Sequence, residues 1–144
     1  MLKVLFVCVH NSARSQIAEE LLRLKLGDKV HVESAGLEPG KLNPIVVDVL
    51  NTIGIDISEK QTKSVFDLFK QGNRFNYVIS VCAEAEGERC PIFPGALKHI
   101  HWSIPDPSAF QGTYDEKFAM TCTVLAMIET RIEEFIKVVN LFEQ

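Results

Sequence analysis

A chain of 144 residues and 16.2 kDa, 47% hydrophobic and 24% charged, has the composition of a globular protein with one hydrophobic core. Its formal net charge of −4 gives no sign of a surface for nucleic acid or membranes, so any attraction for anions has to be local. The first residues lack the pattern of a signal peptide, and no apolar stretch approaches the roughly 18–20 residues that span a bilayer. We therefore expect one cytoplasmic domain over residues 1–144.

Apolar runs alternate with helical periodicity along the chain. Strands are predicted over residues 2–9, 30–34, 77–81 and 98–102, and helices over residues 12–26, 44–53, 64–71 and 114–142. Gly27 is a suitable C-cap for the first helix, and Asn43-Pro44 is a suitable start for the second. The alternation predicts an α/β fold, a three-layer sandwich whose four-stranded parallel sheet has helices on both faces.

Ligands of such sheets bind at the carboxyl ends of the strands. Cys8, Cys82 and the segment after Trp102 all follow predicted strands, so they should meet at one edge. The least regular stretch, residues 83–95, contains several glycines and prolines and is predicted to be a mobile loop.

The turn after the first strand carries a cysteine and an arginine, Cys8 and Arg14, separated by five residues. Backbone N–H groups of such a turn can point inward, and the helix N-terminus behind them favours both an anion and the thiolate of Cys8. Arg14 can bind two oxygens of a tetrahedral oxyanion at once. Asn11 tolerates the left-handed backbone of a tight turn, and Ser12 or Ser15 can hydrogen-bond the thiolate. The predicted oxyanion-binding residues are Val9, His10, Asn11, Ser12, Ala13, Arg14 and Ser15.

This pattern predicts covalent chemistry on phosphate or an anion of similar shape, with Cys8 as the nucleophile. The alternative is a buried cysteine at a strand end beside a surface arginine. His10 is interpreted as a loop side chain rather than a proton carrier. Asp106, held between Pro105 and Pro107 after the last strand, is a candidate general acid for a leaving oxygen, or else an ordinary turn aspartate.

The other cysteines need separate interpretations. Cys82 and Cys90 lie at the two ends of an acidic, glycine-containing loop, where two thiols can approach or separate, which suits thiol–disulfide exchange. Two alternatives are a pair of thiols without a function and a zinc site made by Cys82, Cys90, His99 and His101, although the spacing is not a standard zinc pattern. Cys122, within the last helix, is predicted to be a packed core residue.

The chain resembles the thioredoxin-coupled arsenate reductases, which share the fold of the low-molecular-weight protein tyrosine phosphatases. The resemblance extends over nearly the whole chain. It is carried by residues 7–16, Glu33-Ser34-Ala35-Gly36, Asp56-Ile57-Ser58, Val81-Cys82, Cys90-Pro91, His101-Trp102 and Asp106-Pro107. The oxyanion-binding turn is common to the reductases and the phosphatases, whereas Cys82 and Cys90 match the second and third redox cysteines of the reductases.

The resemblance implies a mechanism that needs no cofactor. Cys8 attacks arsenate while Arg14 and the loop amides bind the anion and Asp106 assists the loss of an oxygen. Cys82 then attacks Cys8, arsenite leaves, and Cys90 attacks Cys82 to give a Cys82–Cys90 disulfide that thioredoxin reduces. Phosphate and sulfate are the expected competing anions. Some members of the family also bind potassium through positions that match Asn11 and Glu19, with Ser34 nearby. Here the Lys63 ammonium is an alternative occupant of that space, and no metal is predicted.

Two other functions are compatible with the same turn. The first is a tyrosine phosphatase of this fold, but those enzymes usually have tyrosines after the Asp-Pro pair, where this chain has Ser108-Ala109. The second is an anion-binding or redox-sensing module without turnover. Such a module does not need a nucleophile, an arginine and an acid together, and this chain has all three, which argues against it. Reduction of arsenate is therefore the first hypothesis, and weak phosphatase activity is expected beside it.

Overall fold

The computed structural model describes residues 1–83, Pro94 and residues 96–143, with the backbone alone described for residues 141–143. Most of the loop predicted over residues 83–95, including Cys90, therefore lies outside the described residues. None of the helices in the described part of the chain is long and apolar enough to cross a membrane.

Four parallel strands form one sheet in the order β2-β1-β3-β4. The strands are β1 (Leu2–Cys8), β2 (Val30–Gly36), β3 (Phe75–Cys82) and β4 (Ala96–Ser103). The helices are α1 (Arg14–Leu26), α2 (Pro44–Asn51), α3 (Val65–Lys70) and α4 (Tyr114–Glu143), with short 3₁₀ turns at Gly27–Lys29 and Pro107–Ala109. The predicted fold class is confirmed, and each predicted element is present with bounds shifted by a few residues.

The hydrophobic core has two layers, one on each face of the sheet. On one face, Val4 and Phe6 of β1 pack with apolar residues of α1, α2 and α4. On the other face, Leu5 and Val7 pack with Val65 and Leu68 of the short helix α3. This alternation of side chains along β1 is the period of a strand whose two faces are both covered.

Two bounds differ from the prediction for reasons that matter to the site. Helix α1 begins at Arg14 rather than at residue 12, because the residues before it form a turn instead of the first helical turn. Strand β2 continues to Gly36 instead of ending at Ser34, because Gly36 pairs with Cys8 on one side and with Ser64 on the other. Both shifts extend the structure at the carboxyl edge of the sheet.

Cys122 corrects one prediction about the core. Its side chain in α4 is only half-buried, whereas its helix neighbours Thr121 and Val124 are the buried residues. An α-helix turns by about 100° per residue, so these two neighbours straddle the face that packs on the sheet and Cys122 lies at its margin.

Candidate active site

The turn between β1 and α1, residues 8–15, forms a compact loop that we call the oxyanion loop. Asn11 has a φ of 57°, the left-handed conformation that the sequence predicted. Backbone N–H groups of the segment after β2 donate to the carbonyl oxygens of the loop: Leu37 to Cys8, Glu38 to Val9, Gly40 to His10 and Asn43 to Ser12, at 2.8–3.1 Å. These carbonyls are bound on the outside, and no side chain caps α1, so the N-terminus of that helix is left for an anion.

Gly36 is required by the close approach of β2 to the oxyanion loop. A Cβ atom at this position would lie 2.8 Å from backbone atoms of Val9, His10 and Asn11. Real Cβ contacts do not come so close, so a larger residue would displace the loop. The loop geometry therefore depends on a glycine that lies 28 residues after Cys8 in the sequence.

The Cys8 thiol is buried at the floor of the oxyanion loop. The Asn11 N–H donates to Cys8 Sγ at 3.1 Å, and Ser15 Oγ lies 2.9 Å from the same sulfur. Ser15 Oγ also accepts a hydrogen bond from Asn11 Nδ2 at 2.8 Å, and its own hydroxyl hydrogen is able to donate to a thiolate. Of the two predicted serines it is therefore Ser15 that contacts the sulfur, beside the Asn11 N–H. Such a setting suits a nucleophilic thiolate.

Arg14 joins the oxyanion loop to the segment after β4. Its guanidinium is buried, with Nη1 donating to the carbonyl oxygen of Ile104 at 3.0 Å and Nη2 lying 3.6 Å from Asp106 Oδ2. The other carboxylate oxygen, Asp106 Oδ1, accepts from the Ser108 N–H at 2.9 Å. The structure therefore brings Arg14 and Asp106 together at the carboxyl edge of the sheet.

His10 lies at the exposed rim of the oxyanion loop. Its Nδ1 lies 2.9 Å from the Glu38 carbonyl oxygen, which fixes the ring against the segment that binds the loop from outside. This position agrees with its interpretation as a loop side chain.

Cys82 ends β3 at the same edge but on the other face of the sheet. The register pairs Val7 with Ser80 and Cys82 with Ser103, so Cys8 and Cys82 end neighbouring strands. Side chains alternate along a strand, which assigns Cys8 to the α1 face and Cys82 to the α3 face. Both side chains are buried, Cys82 completely. The strands thus bring the two cysteines to one edge without placing their sulfur atoms together.

The zinc alternative has no support in the described part of the chain, which contains no group of three or more His, Cys, Asp or Glu residues that could hold a metal ion. One of the four candidate zinc ligands, Cys90, lies outside the described residues. His101 Nδ1 lies 2.9 Å from Ser80 Oγ on the neighbouring strand, so that nitrogen already has a hydrogen-bond partner.

The ammonium group that binds Glu19 comes from Lys60 and not from Lys63, the lysine suggested by the sequence. Lys63 Nζ binds Glu33 Oε1 at 2.9 Å, whereas Lys60 Nζ binds the buried Glu19 carboxylate at 2.8 Å. The two lysines are three residues apart, and their order in space depends on a loop whose path the sequence does not reveal.

The residues that match the potassium ligands do not fit that ion here. Lys60, Arg23 and the Ser34 hydroxyl already bind Glu19, the last two at 2.6 Å each. Asn11 Oδ1 accepts the backbone N–H of Lys63 at 2.9 Å. A further contact that sequence reasoning missed is Gln16, fully buried, whose Nε2 donates to the Asn11 carbonyl oxygen at 3.0 Å. A polar residue in the first turn of a helix behind a loop is the only signal that pointed to it.

The Lys60–Glu19 pair makes a prediction about stability. Burial raises the pKa of Glu19, but the Lys60 ammonium and the Ser34 and Arg23 hydrogen bonds outweigh burial and hold that pKa below its usual value. Lys60→Met should lower the free energy of unfolding by about 2 kcal/mol at neutral pH, less than for a fully unpaired charge because Arg23 remains. Denaturant unfolding of both proteins measures the difference.

The sign of the pH dependence follows from the lowered pKa. Stabilisation by ionised Glu19 is complete above the pKa of an unfolded glutamate, about 4.3, and is lost as the pH falls through the lower pKa of the folded protein. The gap between wild type and Lys60→Met should therefore narrow in acid. Lys63→Met is the matched control: its ion pair is more exposed and should cost less than about 1 kcal/mol. An equal loss in both variants would contradict the assignment of Lys60.

Comparison with known proteins agrees with this geometry. The family model described as low molecular weight phosphotyrosine protein phosphatase matches residues 3–143. An arsenate reductase of Bacillus subtilis (strain 168) is 39% identical over 132 residues, which cover 92% of this chain and 93% of that protein.

Solved structures give the same result. The thioredoxin-dependent arsenate reductase Cg_ArsC1' of Corynebacterium glutamicum is 32% identical with a TM-score of 0.69, and the match covers 98% of this chain and 63% of that longer one. An arsenate reductase in its phosphate binding state is 29% identical with a TM-score of 0.77, and the match covers 95% and 98% of the two chains. The chain belongs to the low molecular weight phosphotyrosine protein phosphatase family.

Proposed function

We propose that this protein is an arsenate reductase that transfers oxidising equivalents through Cys8, Cys82 and Cys90 to thioredoxin. The observation that carries the proposal is the Cys8 thiol at the floor of an oxyanion loop, with a second cysteine, Cys82, at the end of the neighbouring strand. The relatives named as arsenate reductases support the substrate, and the relative named as thioredoxin-dependent supports the reductant. We place the activity in the cytoplasm, where thioredoxin keeps thiols reduced.

The first step is an attack of the Cys8 sulfur on arsenic. The loop amides and Arg14 bind the arsenate oxygens and stabilise the negative charge as the arsenic–sulfur bond forms. Asp106, 3.6 Å from Arg14, donates a proton to the departing oxygen, which leaves as water. The same contacts accept any tetrahedral oxyanion of this size, so phosphate and sulfate should compete.

The second step moves the oxidation onto protein sulfur. The Cys82 thiolate attacks Cys8 Sγ, the arsenic–sulfur electron pair stays on arsenic, and arsenite leaves as the Cys8–Cys82 disulfide forms. Because Cys82 lies on the opposite face of the sheet, the end of β3 has to separate from Ser103 and Trp102 of β4 before the sulfur atoms meet. Cys90 then attacks Cys82, and thioredoxin reduces the resulting Cys82–Cys90 disulfide.

Hydrolysis of phosphate esters is the expected secondary activity, because the oxyanion loop itself does not separate arsenate from phosphate. An aryl ring finds little to pack against beside Asp106, where Ser108 is bound to the Asn43 amide at 3.0 Å and Ala109 is exposed. We therefore expect hydrolysis of aryl phosphates to be slow.

The decisive experiment couples arsenate reduction to NADPH oxidation through thioredoxin and thioredoxin reductase, with p-nitrophenyl phosphate hydrolysis measured in parallel. Arsenate-dependent NADPH oxidation over many turnovers, inhibited by added phosphate, is the expected result. Efficient hydrolysis of p-nitrophenyl phosphate with neither NADPH oxidation nor arsenite release under dithiothreitol would reject the reductase and leave the phosphatase.

A further inference from the structure

A cavity of about 340 Å³ opens between the start of α2 and the start of α4. Its walls are largely apolar and include Ile45, Pro107 and Phe110. Two lysines, Lys41 before α2 and Lys117 in the first turn of α4, line it from separate elements. The cavity therefore combines apolar walls with a local positive charge in a protein whose formal net charge is −4.

The two lysines differ from those that stabilise the fold. Lys25, Lys60 and Lys63 each bind a carboxylate within 4 Å. Within the described ranges, by contrast, no carboxylate forms an ion pair with the ammonium of Lys41 or Lys117. Their charges are thus available to a carboxylate from another molecule.

The cavity lies at the rim of the site described above. Asn43, in its wall, donates its N–H to the Ser12 carbonyl oxygen of the oxyanion loop at 3.0 Å and its side-chain amide to Ser108 at the same distance. Ser108 in turn donates to Asp106. The cavity therefore opens at the carboxyl edge of the sheet, where β3 ends at Cys82.

A protein reductant has to approach this same edge to reach the disulfide that contains Cys82. A typical protein interface covers about 800 Å² on each partner, a patch roughly 30 Å across. Such a patch is about a tenth of the 7833 Å² surface of this protein. Strands lie about 4.8 Å apart, so a patch of this width centred on the carboxyl edge is wider than the four-stranded sheet and includes the rim at Asn43 and Ser108.

We propose that the Lys41–Lys117 cavity is a docking site for thioredoxin, which inserts an acidic side chain between the two ammonium groups and rests apolar surface on Ile45 and Phe110. This inference rests on the proposed function, because it takes thioredoxin as the reductant. The two lysines strengthen the association of the two proteins and take no part in the chemistry at Cys8.

The test reverses both charges and separates docking from chemistry. In the NADPH-coupled assay at low ionic strength, Lys41→Glu/Lys117→Glu should raise the KM for thioredoxin about tenfold with kcat unchanged, and about 0.5 M salt should remove most of the difference. Reduction of arsenate in a single turnover without thioredoxin, followed by counting free thiols, should proceed at the wild-type rate.

Lys29→Glu is the matched control, because Lys29 is exposed at the amino end of β2 and its substitution changes the net charge in the same direction. An unchanged KM for thioredoxin in the double variant, or an equal increase in Lys29→Glu, would overturn the docking site. Slower single-turnover reduction would assign the lysines to substrate binding instead, and would overturn it too. If the wild-type enzyme cycled with dithiothreitol but never with thioredoxin, the proposed reductant would fall, and the docking site with it.

Discussion

Cys8→Ser should abolish both arsenate reduction and p-nitrophenyl phosphate hydrolysis, with each rate falling roughly 10⁴-fold or more. A serine hydroxyl fits the space of the thiol beneath Asn11 and Ser15, so the loop should keep its shape. The hydroxyl does not ionise near neutral pH, and two hydrogen-bond donors are too weak to change that. The variant should therefore lose its nucleophile and keep its anion-binding site.

Two measurements separate a lost nucleophile from a damaged fold. Phosphate binding to Cys8→Ser, followed by calorimetry, should remain within a fewfold of wild type, because the amides and Arg14 are intact. Cys122→Ser is the matched substitution, since Cys122 is half-buried on α4 away from the oxyanion loop and should leave both activities unchanged. Turnover of arsenate by Cys8→Ser at more than a few per cent of the wild-type rate would reject Cys8 as the nucleophile.

The oxyanion loop could be predicted from the sequence because its chemistry is local. The residues that build it are consecutive, and the turn conformation, the thiol and the arginine are all written within eight positions. Residue types alone predicted Asn11 in the left-handed region and a serine against the sulfur, whereas the choice of Ser15 over Ser12 needed the structure. The position of Asp106 needed only one further step, the rule that parallel strands end at the same edge.

Contacts made by distant segments could not be predicted in the same way. In the sequence, Gly36 only follows a predicted strand. Its steric role appears in the structure, where a Cβ atom at this position would lie 2.8 Å from the backbone of the oxyanion loop. Lys60 and Lys63 are chemically equivalent neighbours, so the choice between them depends on the path of the chain after α2. The separation of Cys8 and Cys82 onto opposite faces required the register of β1 with β3.

That separation adds a requirement to the mechanism that the sequence did not contain. Spacing alone suggests two thiols that meet at an edge, whereas the register demands that the end of β3 open before they react. In the proposed relay the main chain around Cys82 has to change partners in each turnover, whereas the oxyanion loop is bound from outside by four backbone hydrogen bonds. The proposal therefore assigns the capture of the anion and the transfer of oxidation to different parts of the protein.

The proposed relay predicts that the cysteine variants differ in the number of arsenite molecules that each protein releases. With thioredoxin present, the wild-type enzyme should release arsenite continuously. Cys90→Ser should release about one arsenite per protein and then stop as the Cys8–Cys82 disulfide. Cys82→Ser should release almost none. Both variants should hydrolyse p-nitrophenyl phosphate close to the wild-type rate, because Cys82 lies on the opposite face of the sheet from the nucleophile. Counting arsenite and mapping disulfides by mass spectrometry would measure each outcome.

The order of the three results is what makes the relay testable. A simple loss of folding would lower hydrolysis and reduction together, whereas the relay predicts that hydrolysis survives while the number of turnovers falls from many to one to none. Cys122→Ser again serves as the control, since a cysteine outside the relay should sustain continuous turnover. Sustained arsenite release by both Cys82→Ser and Cys90→Ser would show that Cys8 passes its oxidation directly to the reductant, and the displacement of the end of β3 would then have no part in the reaction.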